Sequence, residues 1–143
     1  MKLLSLFLFS PLFSCCQLSV SDILQAYSKR TVPDSALAYV MDRGYRMEYF
    51  RIDSFGLKRA SYVKDGTAIA FCGSSGLTMM DYRTFDKKEF VRWHREIIAL
   101  GYTFEKKYSG EGKRYKKYVQ GQDIFVAYEG VEDGRNIFCL VVL

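Results

Sequence analysis

The stretch IALGYTFE, residues 98–105, repeats the pattern of MDRGYRME, residues 41–48, with a shift of 57 positions. Gly44 matches Gly101 in this alignment, and a tyrosine follows each glycine at once. Glycine readily adopts the left-handed conformation that closes many helices. Each stretch therefore predicts the end of a helix and, directly after it, the start of a strand.

Apolar side chains recur at helical spacing before both glycines. The second helix also has a candidate capping box, formed by Asp86 and Glu89. A shorter helix, capped by Ser21, is expected in the lead-in segment, residues 17–32. The apolar positions are Leu37, Val40 and Met41 before Gly44, and Phe90, Trp93, Ile97 and Leu100 before Gly101.

Four strand-like runs follow each of the two glycine-closed helices, separated by turn signals such as Asp65-Gly66. We predict an α+β fold of two tandem helix-plus-four-strand units, residues 33–84 and 85–143, with the helices on one face of an antiparallel sheet. The last run is apolar at both alternating positions and is expected inside the sheet. The runs cover residues 45–52, 59–64, 67–72 and 77–83, then 102–108, 114–120, 123–128 and 136–143.

This layout, over residues 33–143, resembles the tandem helix-and-sheet proteins typified by β-lactamase inhibitory protein. It is also similar to the small lipoproteins of the outer-membrane assembly machinery, which have one such unit. Members of the first group grip a protein partner on the open face of the sheet. The resemblance implies that the uncovered face of this sheet binds a macromolecular partner.

The first residues read as a targeting signal. Residues 1–13, MKLLSLFLFSPLF, combine one early lysine with an apolar run too short to span a membrane. The LFSC sequence that follows, residues 12–15, resembles the bacterial lipoprotein signal. That resemblance implies a signal peptide of residues 1–14 and a lipid-modified Cys15, followed by an anchor and lead-in segment, residues 15–32.

We therefore expect a membrane-anchored lipoprotein of the cell envelope. Two alternatives stay open for the same residues. The first is a plain secretory signal cut after Cys16, which would leave a soluble secreted or periplasmic protein. The second is an apolar first helix of the fold.

The composition describes an ordinary globular chain. The 143 residues are 49% hydrophobic and 26% charged, which excludes disordered and collagen-like classes and suits one domain. The net charge of +5 permits an acidic partner. A single histidine excludes a His-rich metal site, and neither a metal nor a cofactor is predicted.

Candidates for catalysis are few. His94 could serve as a base for a Cys72 nucleophile, but no nucleophile turn or orienting acid lies near it, and residues 73–76, GSSG, read as a hairpin turn. Cys72 and Cys139 could form a disulfide or remain buried thiols. A non-catalytic protein is the expectation.

The segment KKYSGEGKRYKKY, residues 106–118, is the strongest local signal. An exported protein rarely meets nucleic acid, so we expect these residues to contact an acidic protein or another anionic envelope component. An alternative is that lysines on an edge hairpin only prevent aggregation. The predicted partner-binding residues are Tyr62, Lys106, Lys107, Arg114, Lys116, Lys117 and Tyr118, with Lys113 as a further cation of the segment.

These observations predict an exported, lipid-anchored, non-catalytic binding protein that uses an open aromatic sheet face. The alternative function is a structural envelope lipoprotein whose basic hairpin faces the membrane.

Overall fold

A computed structural model of the chain describes residues 17–30, 32–74 and 79–143. Within them lie three helices and eight strands. The helices are α1 (Val20–Ser28), α2 (Pro33–Met41) and α3 (Lys87–Ala99). The strands are β1 (Arg46–Ile52), β2 (Lys58–Lys64), β3 (Thr67–Gly73), β4 (Met79–Thr84), β5 (Thr103–Gly110), β6 (Lys113–Gln120), β7 (Asp123–Glu132) and β8 (Arg135–Val142).

Helices α1 and α3 begin at polar caps, although not always at the predicted ones, whereas α2 has no side-chain cap. Ser19, rather than Ser21, caps α1: its hydroxyl accepts from the Asp22 N–H at 3.1 Å, and the Asp22 carboxylate accepts from the Ser19 N–H at 3.1 Å. Asp86 caps α3 by accepting from the Lys88 N–H at 2.8 Å. Glu89 does not complete the predicted capping box, because its carboxylate pairs with Arg92 instead.

The two glycine-tyrosine pairs end helices, as the sequence predicts. Gly44 and Gly101 have φ angles of 83° and 91°, in the left-handed region that favours glycine. The N–H of Tyr45 then donates to the Val40 carbonyl, and that of Tyr102 to the Ile97 carbonyl. After each of these glycine-tyrosine pairs, the next residue begins a strand.

All eight strands pair antiparallel in one sheet of order β1-β2-β3-β4-β8-β7-β6-β5. The sheet therefore consists of two runs of consecutive strands joined where β4 pairs with β8. The apolar β8 lies at the centre, as predicted, with residues 137–140 all buried. Strands β1 and β5 form the two edges.

One face of the sheet packs against the helices, and we call this the helix side; the opposite face is the open face. Helix α3 lies across the junction of β4 and β8. The Trp93 ring is 5.5 Å from Tyr82 of β4, and the Phe90 ring is 5.3 Å from Phe138 of β8, measured between centroids. A single hydrophobic core results, with Tyr62 and Tyr118 among its fully buried members.

The prediction of two helix-plus-four-strand units is wrong. The structure is one eight-stranded sheet covered by three short helices around a single core. Helix α1, which the prediction left in the lead-in segment, packs against α2, α3 and β4. Because α1 fills the space between the other two helices, the helical layer does not divide into two matching halves.

Helix α3 also holds the lead-in segment in place, through what we call the α3 clamp. The Arg92 guanidinium donates from Nη2 to the Leu18 carbonyl at 2.7 Å and pairs with Glu89 and Glu96. The Glu96 carboxylate accepts from the Val20 N–H at 2.7 Å. These bonds satisfy backbone groups at the start of α1 that its own turns leave unpaired.

The two edge strands differ in chemistry. On β1, the apolar side chains of Met47, Phe50 and Ile52 are all exposed. On β5, Lys106 and Lys107 are exposed instead. On β1, Arg46 and Arg51 are exposed as well. Charged side chains on an edge discourage pairing with a further strand, so both edges are protected by charge.

We expect Glu96→Ala to lower the free energy of unfolding by about 1–2 kcal/mol, because the partly buried Val20 N–H loses its acceptor. Chemical denaturation followed by circular dichroism measures this effect. The matched control is Glu132→Ala, which removes a largely exposed ion pair with Arg83 and should cost less than about 0.5 kcal/mol. Equal losses in both variants would contradict the clamp.

Candidate functional site

Three tyrosines form a continuous row on the open face across β5, β6 and β7. Tyr108 and Tyr115 stack with ring centroids 4.8 Å apart and planes 5° apart, and Tyr115 lies 5.4 Å from Tyr128. We call this set the tyrosine row. Two of its rings are stacked and the third is tilted by 44°, and clustered tyrosines of this kind are common in protein-binding surfaces.

A tight hairpin turn sets the register of the tyrosine row. Glu111 and Gly112 have φ angles of 51° and 73°, so two residues with positive φ connect β5 to β6. Gly110 consequently pairs with Lys113, and Tyr108 lies directly opposite Tyr115. The β6–β7 register then places Tyr128 opposite Tyr115.

Lysine side chains flank the tyrosine row. The Lys106 ammonium is 5.7 Å from the centroid of Tyr108, and the Lys113 ammonium is 5.2 Å from that of Tyr128. Lys117 pairs with Glu105 at 2.8 Å. Within the described part of the chain, neither Lys106 nor Lys113 has an ion-pair partner. The face around the rings therefore carries uncompensated positive charge.

The row continues into the centre of the sheet. Tyr128 is opposite Cys139, which is opposite Arg83 of β4. The Arg83 guanidinium forms ion pairs with the Asp81 carboxylate, at 3.3 Å, and with the Glu132 carboxylate, at 3.6 Å. A shallow pocket of about 150 Å³ opens here, and its lining includes Arg83, Lys113 and Tyr128.

Burial is the largest cause of the pKa shifts in this central part of the open face. It raises the pKa of the Cys139 thiol to about 11 and also raises the pKa of Tyr128, whose hydroxyl interacts with that thiol. Burial likewise raises the pKa of Asp81 against the opposing charge of Arg83. The tyrosine and the thiol stay neutral at physiological pH, so the charges of this region are those of the lysines, of Arg83 and of its carboxylate partners.

The structure divides the predicted basic cluster between the two sides of the sheet. Lys106 and Lys117 lie on the open face with Lys113, whereas Lys107, Arg114 and Lys116 lie on the helix side. The Lys116 ammonium is 5.4 Å from the Phe90 ring of α3, and Arg114 pairs with Glu129 at 2.7 Å. Alternation of side chains along a strand enforces this division.

Tyr62 and Tyr118 do not lie on the open face, contrary to the prediction. Both are fully buried on the helix side, and the Tyr118 hydroxyl shares a 2.7 Å hydrogen bond with His94 Nδ1. Val63 and Val119, their neighbours in sequence, take the open-face positions. Neither tyrosine can touch a partner of the folded domain, and sequence reasoning missed Tyr108, Tyr115 and Tyr128.

The possible His94–Cys72 pair is not assembled. His94 is on α3, on the helix side, whereas Cys72 alternates with the buried Phe71 and so points to the open face of β3. Cys72 and Cys139 are both thiols. Strand β4 lies between their strands, which places them too far apart for a disulfide.

The predicted lipidation site and signal lie outside the described residues, and the predicted GSSG turn lies partly outside them. Cys15 and the signal, residues 1–14, lie outside, as do residues 75–78, which include part of the GSSG turn.

In the described ranges, no group of three or more His, Cys, Asp or Glu residues could hold a metal ion. No helix among them has the length and apolar character needed to cross a membrane.

Comparison with known proteins gave no match at any level. No protein-family model matches the sequence, no curated protein matches it, and no solved structure matches its fold. The similarity to β-lactamase inhibitory protein therefore remains a resemblance of sequence layout.

Alkaline pH should destabilise the domain. The unfolded Cys139 thiol ionises near its ordinary pKa of 9.0, whereas burial raises the folded value to about 11. The stability that this thiol contributes is complete below pH 9 and is lost as the pH rises to about 11, on the order of 2 kcal/mol. Urea denaturation at about pH 8 and about pH 10.5 measures the loss. Cys139→Ala should reduce the loss between these pH values by the share of the thiol, and buried tyrosines such as Tyr118 and Tyr128, whose pKa burial also raises, account for the remainder. An unchanged loss in that variant would contradict this assignment.

Proposed function

We propose that this protein is a lipid-anchored, non-catalytic binding protein of the cell envelope, which grips an acidic macromolecular partner on the open face of its sheet. The observation that carries the proposal is the tyrosine row with its flanking lysines. His94 and Cys72 lie on opposite sides of the sheet, which supports the interpretation that the protein is not a catalyst.

The tyrosine row suits a binding surface better than a purely structural role. Tyr108 remains 41% exposed on the uncovered face, and Tyr115 and Tyr128 are only half-buried beside it. Tyrosine supplies a large, rigid and amphipathic contact at low cost in side-chain entropy. A partner that covers the rings would therefore gain apolar contact together with hydrogen bonds to the hydroxyl groups.

The charges around the row indicate the chemistry of the partner. Glu105, Asp81 and Glu132 are each ion-paired with a cation of the same face, while Lys106 and Lys113 keep unneutralised charge beside the rings. Such rim cations accelerate encounter with acidic surfaces and repel basic ones. An acidic protein surface is the partner that fits both features.

The alternative function, a structural lipoprotein with its basic hairpin on the membrane, is less well supported. It would benefit from all six cations of residues 106–118 pointing in one direction, but they alternate between the two sides of the sheet. Only three of them are available to any one flat surface. The cations on the open face stand beside aromatic rings, in an arrangement that suits a protein surface.

The lipid anchor is proposed from the LFSC sequence, residues 12–15. We expect a fatty-acid analogue fed to a bacterial host to label the protein and the chain to sediment with membranes. Cys15→Ser should abolish both the label and the sedimentation, whereas the matched variant Cys16→Ser should retain them. Label that persists unchanged in Cys15→Ser would overturn the anchor.

The partner surface can be tested by photo-crosslinking in the envelope. A photoreactive phenylalanine analogue at Tyr115 should form a discrete adduct with an acidic protein. Charge reversal by Lys106→Glu with Lys113→Glu should reduce the yield at least tenfold, since reversing charges at the rim chiefly slows association.

The matched control places the same analogue at Phe55, which is 93% exposed in the turn between β1 and β2. That position should give no adduct sensitive to the lysine substitutions. Equal adducts at Tyr115 and Phe55, or none at Tyr115, would refute a binding role for the open face.

A further inference from the structure

The solvent-exposed side of α3 carries basic and apolar residues together. We define the outer face of α3 as Lys87, Lys88, Val91, Arg95 and Ile98, all of which are exposed. Their spacing of three or four residues places them on one side of the helix. This combination of basic and apolar side chains is typical of helices that lie on anionic membranes.

Folding alone does not favour this arrangement of charges. Lys87 and Lys88 occupy the first two positions of α3, where the positive end of the helix dipole disfavours cations. Val91 and Ile98 also leave 50% and 43% of their surface exposed, although both are apolar. A role outside the folding of the domain accounts for both features.

The acidic residues of α3 are directed away from the outer face. Glu89 and Glu96 both pair with Arg92, at 2.9 Å and 3.2 Å, as part of the α3 clamp. Asp86, the N-cap of α3, lines the same surface depression as Lys87, Lys88 and Arg95, so three cations of the outer face stand against one carboxylate. Lys107 and Lys116, on the helix side of the β5–β6 hairpin, add positive charge on the same side of the sheet.

The α3 clamp fixes the position of the segment that leads to the lipidation site. Arg92 and Glu96 bind Leu18 and Val20, and only two residues separate Leu18 from Cys15. Three residue steps span at most about 11 Å. A lipid on Cys15 would therefore hold the bilayer within that distance of the clamp, on the strip of helix surface beside the outer face.

We propose that the outer face of α3 docks on the anionic surface of the bilayer in which Cys15 is anchored. This inference rests on the proposed lipid anchor for its geometry and goes beyond it in assigning a second, electrostatic contact. The sheet separates the outer face of α3 from the open face. Docking in this way turns the tyrosine row away from the bilayer and presents it to a partner.

Tryptophan quenching tests the orientation. The full chain is mixed with vesicles of brominated phosphatidylcholine, with or without brominated phosphatidylglycerol. Fluorescence of a Val91→Trp variant should be quenched in the anionic vesicles, and that of a Tyr115→Trp variant should not. Trp93 is fully buried and gives the same background in both variants.

Charge substitution tests the electrostatic contact. At low salt, Lys87→Gln with Lys88→Gln and Arg95→Gln should weaken partition into the anionic vesicles about 100-fold. The matched control is Lys106→Gln with Lys113→Gln and Lys117→Gln, which removes the same charge from the open face and should change partition less than about threefold.

The outcomes separate this inference from the proposed function. Equal quenching at the two tryptophans, or equal effects of the two triple variants, would overturn docking by α3 whatever the labelling of Cys15 shows. Loss of the anchor alone would leave the dependence on anionic lipid intact. Partition that depends on the open-face lysines instead would support the membrane-facing hairpin and refute this proposal.

Discussion

The pairing of β4 with β8 is the constraint on which the rest of the structure depends. It joins two runs of consecutive strands, and the side chains that α3 covers come from both, since Trp93 packs on Tyr82 and Phe90 on Phe138. Four strands alone would present α3 with only half of its contact surface. The position of α3 in turn fixes the α3 clamp, so the junction also decides where the lead-in segment is held.

Local sequence signals predicted the ends of elements well and the assembly of the helical layer poorly. Gly44 and Gly101 were identifiable because a left-handed helix end needs glycine, and the place of β8 followed from its unbroken apolar sequence. The error came from α1, whose apolar residues fit a lead-in helix as well as a central one. Which helix fills the space between two others depends on long-range packing that no local pattern contains.

The proposed binding surface shows the same limit at the level of single residues. Alternation predicts that Tyr118 and Val119 point in opposite directions, but which of them is buried depends on packing in the core and on contacts with distant elements such as His94. The tyrosine row had a usable local signal, however. Reading Glu111-Gly112 as a two-residue turn would have placed Tyr108 opposite Tyr115 on the same face. The position of Tyr128 depends on a second register, between β6 and β7.

The charged edges of the sheet limit how copies of this domain can associate through their strands. A sheet with two receptive edges can add neighbours on both sides and grow into an open-ended ribbon. Here Arg46 and Arg51 on β1, and Lys106 and Lys107 on β5, oppose the approach of a similarly charged edge of another copy. A register shift within each edge pairing also interrupts the regular ladder there. The folded domain is therefore a poor template for open-ended growth through its strands.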